Sequence, residues 1–243
     1  MPAVFVHGVP ENAHIWDPLR SHLSRADTVA LELPGFATPR PEGFAATKEA
    51  YVDWLIAELE SFDEPVDLVG HDWGGGLVLR AVSLRPELVR TWASDFVACA
   101  DPDFVWHDFA RIWQTPGDGE MFWQQQLAAK DDWAAGLVAM GVPPDGAAIM
   151  ADAVDETMAA CILDLYRSAI EVNAEWGPDA ADIPSPGLAI VATEDPFFER
   201  AWTERVAERA GARTHELYGL SHWWMLSEPD QAAAVLQSFW AFG

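Results

Sequence analysis

Short apolar runs alternate along the chain with longer stretches that have helical periodicity. The apolar runs predict six strands, at Ala3–His7, Thr28–Leu33, Val66–Gly70, Val89–Ala98, Gly187–Thr193 and Arg213–Tyr218. The periodic stretches predict helices from the N-cap Thr47 to Glu60, from the glycines after Trp73 to about Leu84, and from Pro229 to Phe242. Strands that alternate with helices favour an α/β fold with a mostly parallel sheet and crossover helices.

The alternation stops between about residues 100 and 184. Strand patterns disappear there, and the helical stretches are rich in tryptophan, at Trp106, Trp113, Trp123, Trp133 and Trp176. We therefore predict a core domain of residues 1–99 and 185–243. A helical cap of residues 100–184 is inserted after the fourth strand, with boundaries that hold to within a few residues.

The charge of the chain narrows the range of partners. Its 243 residues include 39 acidic and 14 basic side chains, which gives a net charge of −25. Such a surface repels phosphate backbones and anionic lipids, so we expect neither nucleic acid nor a membrane as a partner. The acidity fits either a strongly solvated surface or a salt-adapted host, and the sequence leaves both open.

Targeting and cofactor signals are weak. The first residues, MPAVFVHG, lack the basic segment of a secretory signal, and no apolar run reaches the about 18 residues of a membrane span. We therefore expect a cytoplasmic protein. Cys99 and Cys161 match no metal or redox spacing and are interpreted as buried free thiols. No metal or cofactor is expected.

The strongest chemical signal is VDLVGHDWGGG, residues 66–76. A predicted strand leads into the turn around Asp72, and a predicted helix follows it. In the pattern G-x-D-x-G, such a turn lifts the Asp72 carboxylate above the sheet at a helix N-terminus, where the helix dipole keeps it ionised. An aspartate that merely caps the helix is the alternative, and the motifs below favour a nucleophile.

A second turn, His7-Gly8-Val9-Pro10, ends the first predicted strand. Parallel strands bring such turns to the same edge of a sheet. We therefore predict that the backbone N–H groups of Val9 and Trp73 form an oxyanion hole beside Asp72. Taken alone, the turn would be read as an ordinary proline-containing connection.

Two more residues follow strands. His222 lies in the loop after the last predicted strand, and none of the other histidines does. Asp195 leaves the end of the fifth predicted strand. Asp95 and Glu194 are alternative acids, but the alternation of strand side chains points both toward the wrong face.

Together, HGVP, GHDWGGG and the loops of Asp195 and His222 resemble the epoxide hydrolase and haloalkane dehalogenase branch of the α/β-hydrolases. The order Asp72, Asp195, His222 is nucleophile, acid, histidine, as in that superfamily. Some relatives place the acid after the fourth strand, but an ungapped alignment puts that position on Phe96 rather than on Asp95. The resemblance implies an α/β-hydrolase fold and an attack of Asp72 on carbon that forms an alkyl-enzyme ester. His222, oriented by Asp195, would then activate the water that hydrolyses the ester.

Epoxide opening needs a proton donor for the leaving oxygen. Tyr166 lies in the cap where the resemblance places one ring-opening tyrosine, although it also fits the apolar stripe of a core helix. The second tyrosine of epoxide hydrolases has no counterpart, and His107 or Trp113 occupies that stretch. A histidine–tyrosine pair is chemically adequate for this step.

Halide release needs N–H donors instead. Trp73 follows the nucleophile as in haloalkane dehalogenases, and Trp113 or Trp123 would supply a second indole. However, Val9 stands where many dehalogenases carry asparagine, and fluoroacetate dehalogenases carry arginine at the position of Trp73. We therefore favour an epoxide hydrolase. A haloalkane dehalogenase, another α/β-hydrolase and a non-catalytic ligand-binding protein are the alternatives.

Aromatic residues predict an apolar substrate pocket. Its candidate members are His107, Trp113, Trp123 and Trp223. Packing in a core is the commoner role of such residues, so this prediction depends on the cap lying over Asp72. The expected partners are a hydrophobic small molecule and water, and the expected oligomeric state is a monomer or a dimer.

The start of the chain bears on the edge of the sheet. Relatives begin with a β-hairpin, for which the six residues before His7 leave no room. We therefore expect a truncated, about six-stranded sheet whose edge is Thr28–Leu33. Because an open edge invites aggregation, this strand should be short, covered or paired with another subunit.

Overall fold

Six parallel strands form one sheet in the computed structural model, which describes residues 1–241. The strand order is β2-β1-β3-β4-β5-β6, and every neighbouring pair is parallel. The strands are β1 (Ala3–Val6), β2 (Thr28–Leu31), β3 (Val66–Gly70), β4 (Val89–Ser94), β5 (Gly187–Ala192) and β6 (Arg213–Leu217). The predicted α/β-hydrolase fold with about six mostly parallel strands is confirmed.

Helices cover the sheet and build the region between β4 and β5. They are α1 (Asp17–Ser21), α2 (Lys48–Glu60), α3 (Trp73–Leu84), α4 (Asp108–Gln114), α5 (Asp118–Ala128), α6 (Lys130–Ala139), α7 (Pro144–Ala153), α8 (Glu156–Ser168), α9 (Val172–Trp176), α10 (Arg200–Ala210), α11 (Trp224–Ser227) and α12 (Pro229–Trp240). The Thr47 side chain accepts the Ala50 N–H and so caps α2 as predicted. Among the described residues, no helix is long and apolar enough to cross a membrane.

The fourth strand is shorter than its sequence predicts. It ends at Ser94 rather than Ala98, because the Ser94 side chain accepts the N–H of Phe96 and a 3₁₀ turn follows at Val97–Ala100. An apolar run therefore continued past the strand into a buried turn. The predicted end of the last helix, Phe242, lies outside the described residues.

The parallel register brings the ends of three strands together. Val6 at the end of β1 pairs with Gly70 at the end of β3, and Gly70 pairs with Ser94 at the end of β4. The turns that follow these strands therefore emerge side by side at the carboxyl edge of the sheet, where α/β folds bind ligands.

The strand β2 is the outer strand on one side of the described sheet, as predicted. It has only four residues and a half-exposed face. Arg20 covers part of this edge, because its guanidinium donates to the Thr28 hydroxyl and to the Thr28 carbonyl oxygen, both at 3.1 Å. Short length and a covering arginine both limit pairing with other chains.

The helices α4 to α9 lie in the segment that we predict as the cap. Two arginines of α10 hold the ends of this segment to the sheet domain. Arg205 donates to the buried Asp101 carboxylate at 2.7 and 2.9 Å, and Arg209 donates to the carbonyl oxygens of Ala100 and Ala180 at 2.9 and 3.1 Å. Both ends of this segment are therefore fixed to the same helix.

Candidate active site

The turn between β3 and α3 holds Asp72 in a strained conformation. Its φ of 49° and ψ of −125° are rarely adopted by residues with a side chain. Two glycines make the turn feasible. A Cβ atom on Gly70 would lie 2.3 Å from the Gly74 carbonyl oxygen, and a Cβ atom on Gly74 would lie 2.2 Å from the Val6 carbonyl oxygen. The close approach of α3 to β1 therefore requires the two glycines of the pattern G-x-D-x-G.

The Asp72 carboxylate lies between two backbone donors. The Val9 N–H donates to Asp72 Oδ2 at 3.0 Å, and the Trp73 N–H lies close enough to this carboxylate to favour its ionised form. The two N–H groups come from the ends of β1 and β3, as the sequence predicts for an oxyanion hole. Their geometry suits a negative oxygen on the Asp72 side chain.

His222 faces the opposite side of the Asp72 carboxylate. Its Nε2 lies 3.8 Å from Asp72 Oδ1, and its Nδ1 donates to Asp195 Oδ2 at 2.8 Å. The Phe197 N–H donates to the other Asp195 oxygen at 2.8 Å and so fixes that carboxylate. Glu194 is exposed. The structure therefore brings Asp72, His222 and Asp195 into one chain of contacts.

Burial and neighbouring charges shift the pKa values of Asp72 and His222. Loss of solvent raises the pKa of Asp72 to about 6, against the opposing influence of the nearby His222 and His71 rings. Burial alone would lower the pKa of His222, but the carboxylates of Asp195 and Asp72 together raise that pKa above its ordinary value. Asp72 is consequently ionised at neutral pH, as an attacking carboxylate must be.

Tyr166, on α8, reaches the same cavity as Asp72. Its ring is almost fully buried and packs against Trp73 and Trp113, with ring centroids 5.5 and 4.8 Å apart. Burial, with the Asp72 charge nearby, raises the pKa of this phenol well above its ordinary value. The phenol is therefore protonated and able to donate a proton or a hydrogen bond into the cavity.

His107 begins α4 and lines the cavity beside Tyr166. Its Nδ1 accepts the Ala110 N–H at 3.2 Å as a helix cap. Burial, followed by the nearby His222, lowers the pKa of His107 to about 4. The ring is therefore neutral, and because Nδ1 is an acceptor, the proton must lie on Nε2.

The cavity lies between the carboxyl edge of the sheet and the helices α4, α6 and α8. Its apolar wall is formed by Phe109, Trp113, Trp133, Leu137, Met140 and Phe197. Asp72, His107, Tyr166 and His222 are its ionisable members, and none of the described lining residues is a lysine or an arginine. This composition suits a neutral, apolar ligand.

The predicted pocket residues do not all reach the cavity. His107, Trp113 and Trp223 line it. The prediction that Trp123 lines the cavity is corrected, because Trp123 stacks behind Trp113 at a centroid distance of 5.4 Å and is not among the lining residues. Helical spacing alone could not tell the wall of the cavity from the layer behind it.

Sequence reasoning missed a buried polar network next to this group. His71 bonds Asp95 through Nδ1 at 2.5 Å and Glu11 through Nε2 at 3.1 Å. Glu11 also accepts the Trp223 indole N–H at 2.7 Å. The sequence held one sign of this network, which is that Glu11 and His71 lie next to the two turns that carry the strongest motifs.

The buried network also contains side chains of the types that bind metal ions. Glu11, His71 and His222 each bring one ligand atom within 4.8 Å of the others. However, both nitrogens of His71 are already bonded to carboxylates. We therefore assign no metal to these residues.

Comparison with known proteins places the chain in a family. The profile of the alpha/beta hydrolase family matches residues 3–235. The chain belongs to the α/β-hydrolase family. A haloalkane dehalogenase of Bradyrhizobium diazoefficiens is 29% identical over 137 residues, which are 48% of this chain and 44% of that protein. The (E)-2-((N-methylformamido)methylene)succinate hydrolase of Acinetobacter baylyi is 33% identical over 95 residues, 38% of this chain and 36% of that protein.

Solved structures repeat this α/β-hydrolase fold. An epoxide hydrolase of Bacillus megaterium superposes with a TM-score of 0.72 at 19% identity, covering 98% of this chain and 93% of that one. The chain spans less than half of the length of the two curated relatives. Its reaction must therefore be argued from its own residues.

Proposed function

We propose that this α/β-hydrolase is an epoxide hydrolase that acts on neutral, hydrophobic epoxides through an ester on Asp72. The observation that carries the proposal is the cavity shared by Asp72 and two neutral proton donors, the Tyr166 phenol and the His107 Nε2–H. A carboxylate facing such donors can open a ring whose oxygen leaves as an alkoxide.

The first step forms the ester. Asp72 Oδ1 attacks an epoxide carbon while Oδ2 stays on the Val9 N–H. The carbon–oxygen bond of the ring breaks, and the released oxygen takes the proton of Tyr166 while His107 donates a hydrogen bond to it. The product is a hydroxyalkyl ester of Asp72 and a Tyr166 phenolate.

The second step hydrolyses the ester. His222, polarised by Asp195, takes a proton from water, and the hydroxide attacks the carbonyl carbon of the Asp72 ester. The negative oxygen of the tetrahedral intermediate lies on the N–H groups of Val9 and Trp73. Breakdown of the intermediate releases the diol and the Asp72 carboxylate, and the surplus proton returns to Tyr166.

Haloalkane dehalogenation is the second candidate, and a specific observation favours it. The indole N–H groups of Trp73 and Trp113 are buried without an acceptor among the described residues. Such donors suit an anion, and Tyr166 lies against both rings. The Val9 side chain, however, adds no donor, and Trp73 does not line the cavity.

Intact-mass analysis of the His222→Gln protein separates these reactions. We expect the variant to form the ester and then stall, because the base for hydrolysis is gone. A reactive aryl epoxide should add its whole mass to the protein, whereas a bromoalkane of equal size should add nothing. Mass gain from the bromoalkane with bromide release would favour the dehalogenase instead.

The double variant Asp72→Asn/His222→Gln is the matched control. It keeps the cavity but lacks the nucleophile, so it should gain no mass from either compound. A ligand-binding protein without turnover would gain no mass in either variant. A serine-type mechanism would also leave His222→Gln unmodified, because its histidine acts in the first step.

A further inference from the structure

Behind the Asp72 carboxylate lies a group of buried ionisable residues that the proposed reaction does not use. Glu11 and His71 are fully buried, and Asp95 is 5% exposed. None of the three is among the described residues that line the cavity. Buried charges are costly unless they are paired, so their arrangement beside the nucleophile points to a role.

Asp95 joins three segments of the chain. Its Oδ1 accepts the backbone N–H of Asp72 at 2.8 Å. Its Oδ2 accepts the His71 Nδ1–H at 2.5 Å and the Trp224 indole N–H at 2.7 Å. One carboxylate therefore holds the nucleophile turn, its neighbouring histidine and the segment next to His222.

His71 carries a positive charge in this arrangement. Both of its ring nitrogens face carboxylates, which accept hydrogen bonds and cannot donate them when ionised. Burial alone would lower the pKa of His71, but Asp95 and Glu11 outweigh it and raise that pKa well above its ordinary value. The pKa of Glu11 is lowered to about 2 and that of Asp95 is lowered as well, so both partners stay ionised.

The charge of His71 lies close to the reacting groups. Its ring centroid is 4.5 Å from that of His222. The titratable groups that face His71 are Asp95, Glu11, His222 and Asp72. A fixed cation at this position favours the ionised form of Asp72.

We infer that Asp95 is a positioning residue, which holds the strained peptide of Asp72 and fixes His71 as a cation behind the nucleophile. The effect on reaction rates rests on the proposed function, whereas the charge on His71 does not. Asparagine cannot replace Asp95, because an amide has one accepting oxygen. In either orientation, at least one of the three donors would face the amide N–H₂ group.

Nitrogen NMR of histidine-labelled protein tests the charge directly. In the unaltered protein, both ring nitrogens of His71 should stay protonated well above the ordinary histidine pKa of about 6.5. In Asp95→Asn the pKa of His71 should fall, since the carboxylate that raises it most is lost. The signals of His71 are identified as those that disappear from the spectrum of the His71→Gln variant. A neutral His71 in the unaltered protein, or an unchanged His71 in Asp95→Asn, would overturn the inference.

Rates test the positioning. In a His222→Gln background, Asp95→Asn should slow ester formation from an aryl epoxide by about 10- to 100-fold, the usual effect of a misplaced nucleophile. The Kd for the diol product should stay the same, because Asp95 does not line the cavity. Equal losses of rate and of diol affinity would contradict a positioning role.

Asp67→Asn is the matched control. Asp67 is a buried carboxylate at the other end of β3, where it pairs with Arg25 and Arg90. Its loss should lower stability but leave the His71 signal and the rate of ester formation unchanged. If it moves them as much as Asp95→Asn does, any buried carboxylate acts alike and the inference fails.

A gentler variant covers the case in which Asp95→Asn does not fold. Trp224→Phe removes one donor and leaves the Asp95 charge, so His71 should stay protonated while ester formation slows severalfold. An unchanged rate there contradicts the inference. Failure of the proposed function is distinct from either result, because the His222→Gln parent would then form no ester with any epoxide.

Discussion

The protonation of a single carboxylate controls the first step of the proposed reaction. Burial raises the pKa of Asp72 to about 6, so the attacking form predominates above that pH and disappears below it. We predict that kcat/KM for an uncharged epoxide falls tenfold per pH unit as the pH drops below about 6. A pH–rate profile measures this midpoint. A rate that stays constant down to about pH 4, near the ordinary carboxyl pKa, would contradict a buried Asp72 nucleophile.

The second residue to test is Tyr166. Removing its hydroxyl in Tyr166→Phe should slow ester formation from an epoxide by about 10- to 1000-fold if the phenol protonates the leaving oxygen. Stopped-flow kinetics with a single turnover measure that step. Tyr51→Phe is the matched control, because Tyr51 is equally buried but donates to the Pro34 carbonyl oxygen away from the cavity. Unchanged opening in Tyr166→Phe would leave His107 as the sole acid or favour a halide substrate.

The sequence indicates some of these residues better than others. Asp72, His222 and Asp195 each follow a strand, so parallel pairing of the strands is enough to predict that they meet. Asp95 also follows a strand, but the alternation of strand side chains gave no sign of its bonds to His71 and Asp72, which are made in the turns after β3 and β4. Glu11 gave no periodic signal, because a buried ion pair is recognised only when both partners are placed.

At the scale of elements, the nucleophile turn depends on close contact between α3 and β1. A Cβ atom on Gly74 would lie 2.2 Å from the Val6 carbonyl oxygen, and backbone atoms cannot move aside as a side chain can. We predict that Gly74→Ala lowers the free energy of unfolding by about 3 kcal/mol and abolishes turnover. Chemical denaturation measures the loss.

Gly136→Ala is the matched control for Gly74→Ala, and we expect it to change stability in the opposite direction. Gly136 lies inside α6, and a Cβ atom there meets nothing within 4 Å. Alanine should therefore stabilise the protein by about 0.5–1 kcal/mol through helix propensity. If Gly74→Ala were tolerated as well as Gly136→Ala, the close approach of α3 to β1 would be wrong.

The elements themselves were predicted with errors at their ends. Periodicity identified β3 and α2 with their full bounds, because Gly70 marks the end of β3 and the N-cap Thr47 marks the start of α2. It overextended β4 into the buried turn after Ser94, since apolar content does not distinguish a strand from a buried 3₁₀ turn. It also could not decide that Trp113 lines the cavity while Trp123 packs behind it.

At the scale of the whole molecule, net charge opposes folding. With 14 basic and 39 acidic side chains, repulsion between like charges outweighs the ion pairs. We predict that sodium chloride raised to about 0.5 M increases the Tm by several degrees, because it screens this repulsion. Chloride is preferable to sulfate, which also stabilises proteins by exclusion from their surface. A Tm that falls steadily with chloride would mean that the surface ion pairs dominate.

A single turnover in water enriched in heavy oxygen tests the covalent ester most directly. With enzyme in excess over an aryl epoxide, the water attacks the Asp72 ester at its carbonyl carbon, so the heavy oxygen should remain in the carboxylate. Mass spectrometry of the peptide that contains Asp72 should then show one heavy oxygen, and the diol should show none. Heavy oxygen in the diol, with none in Asp72, would mean that water attacks the epoxide itself and that Asp72 is not the nucleophile.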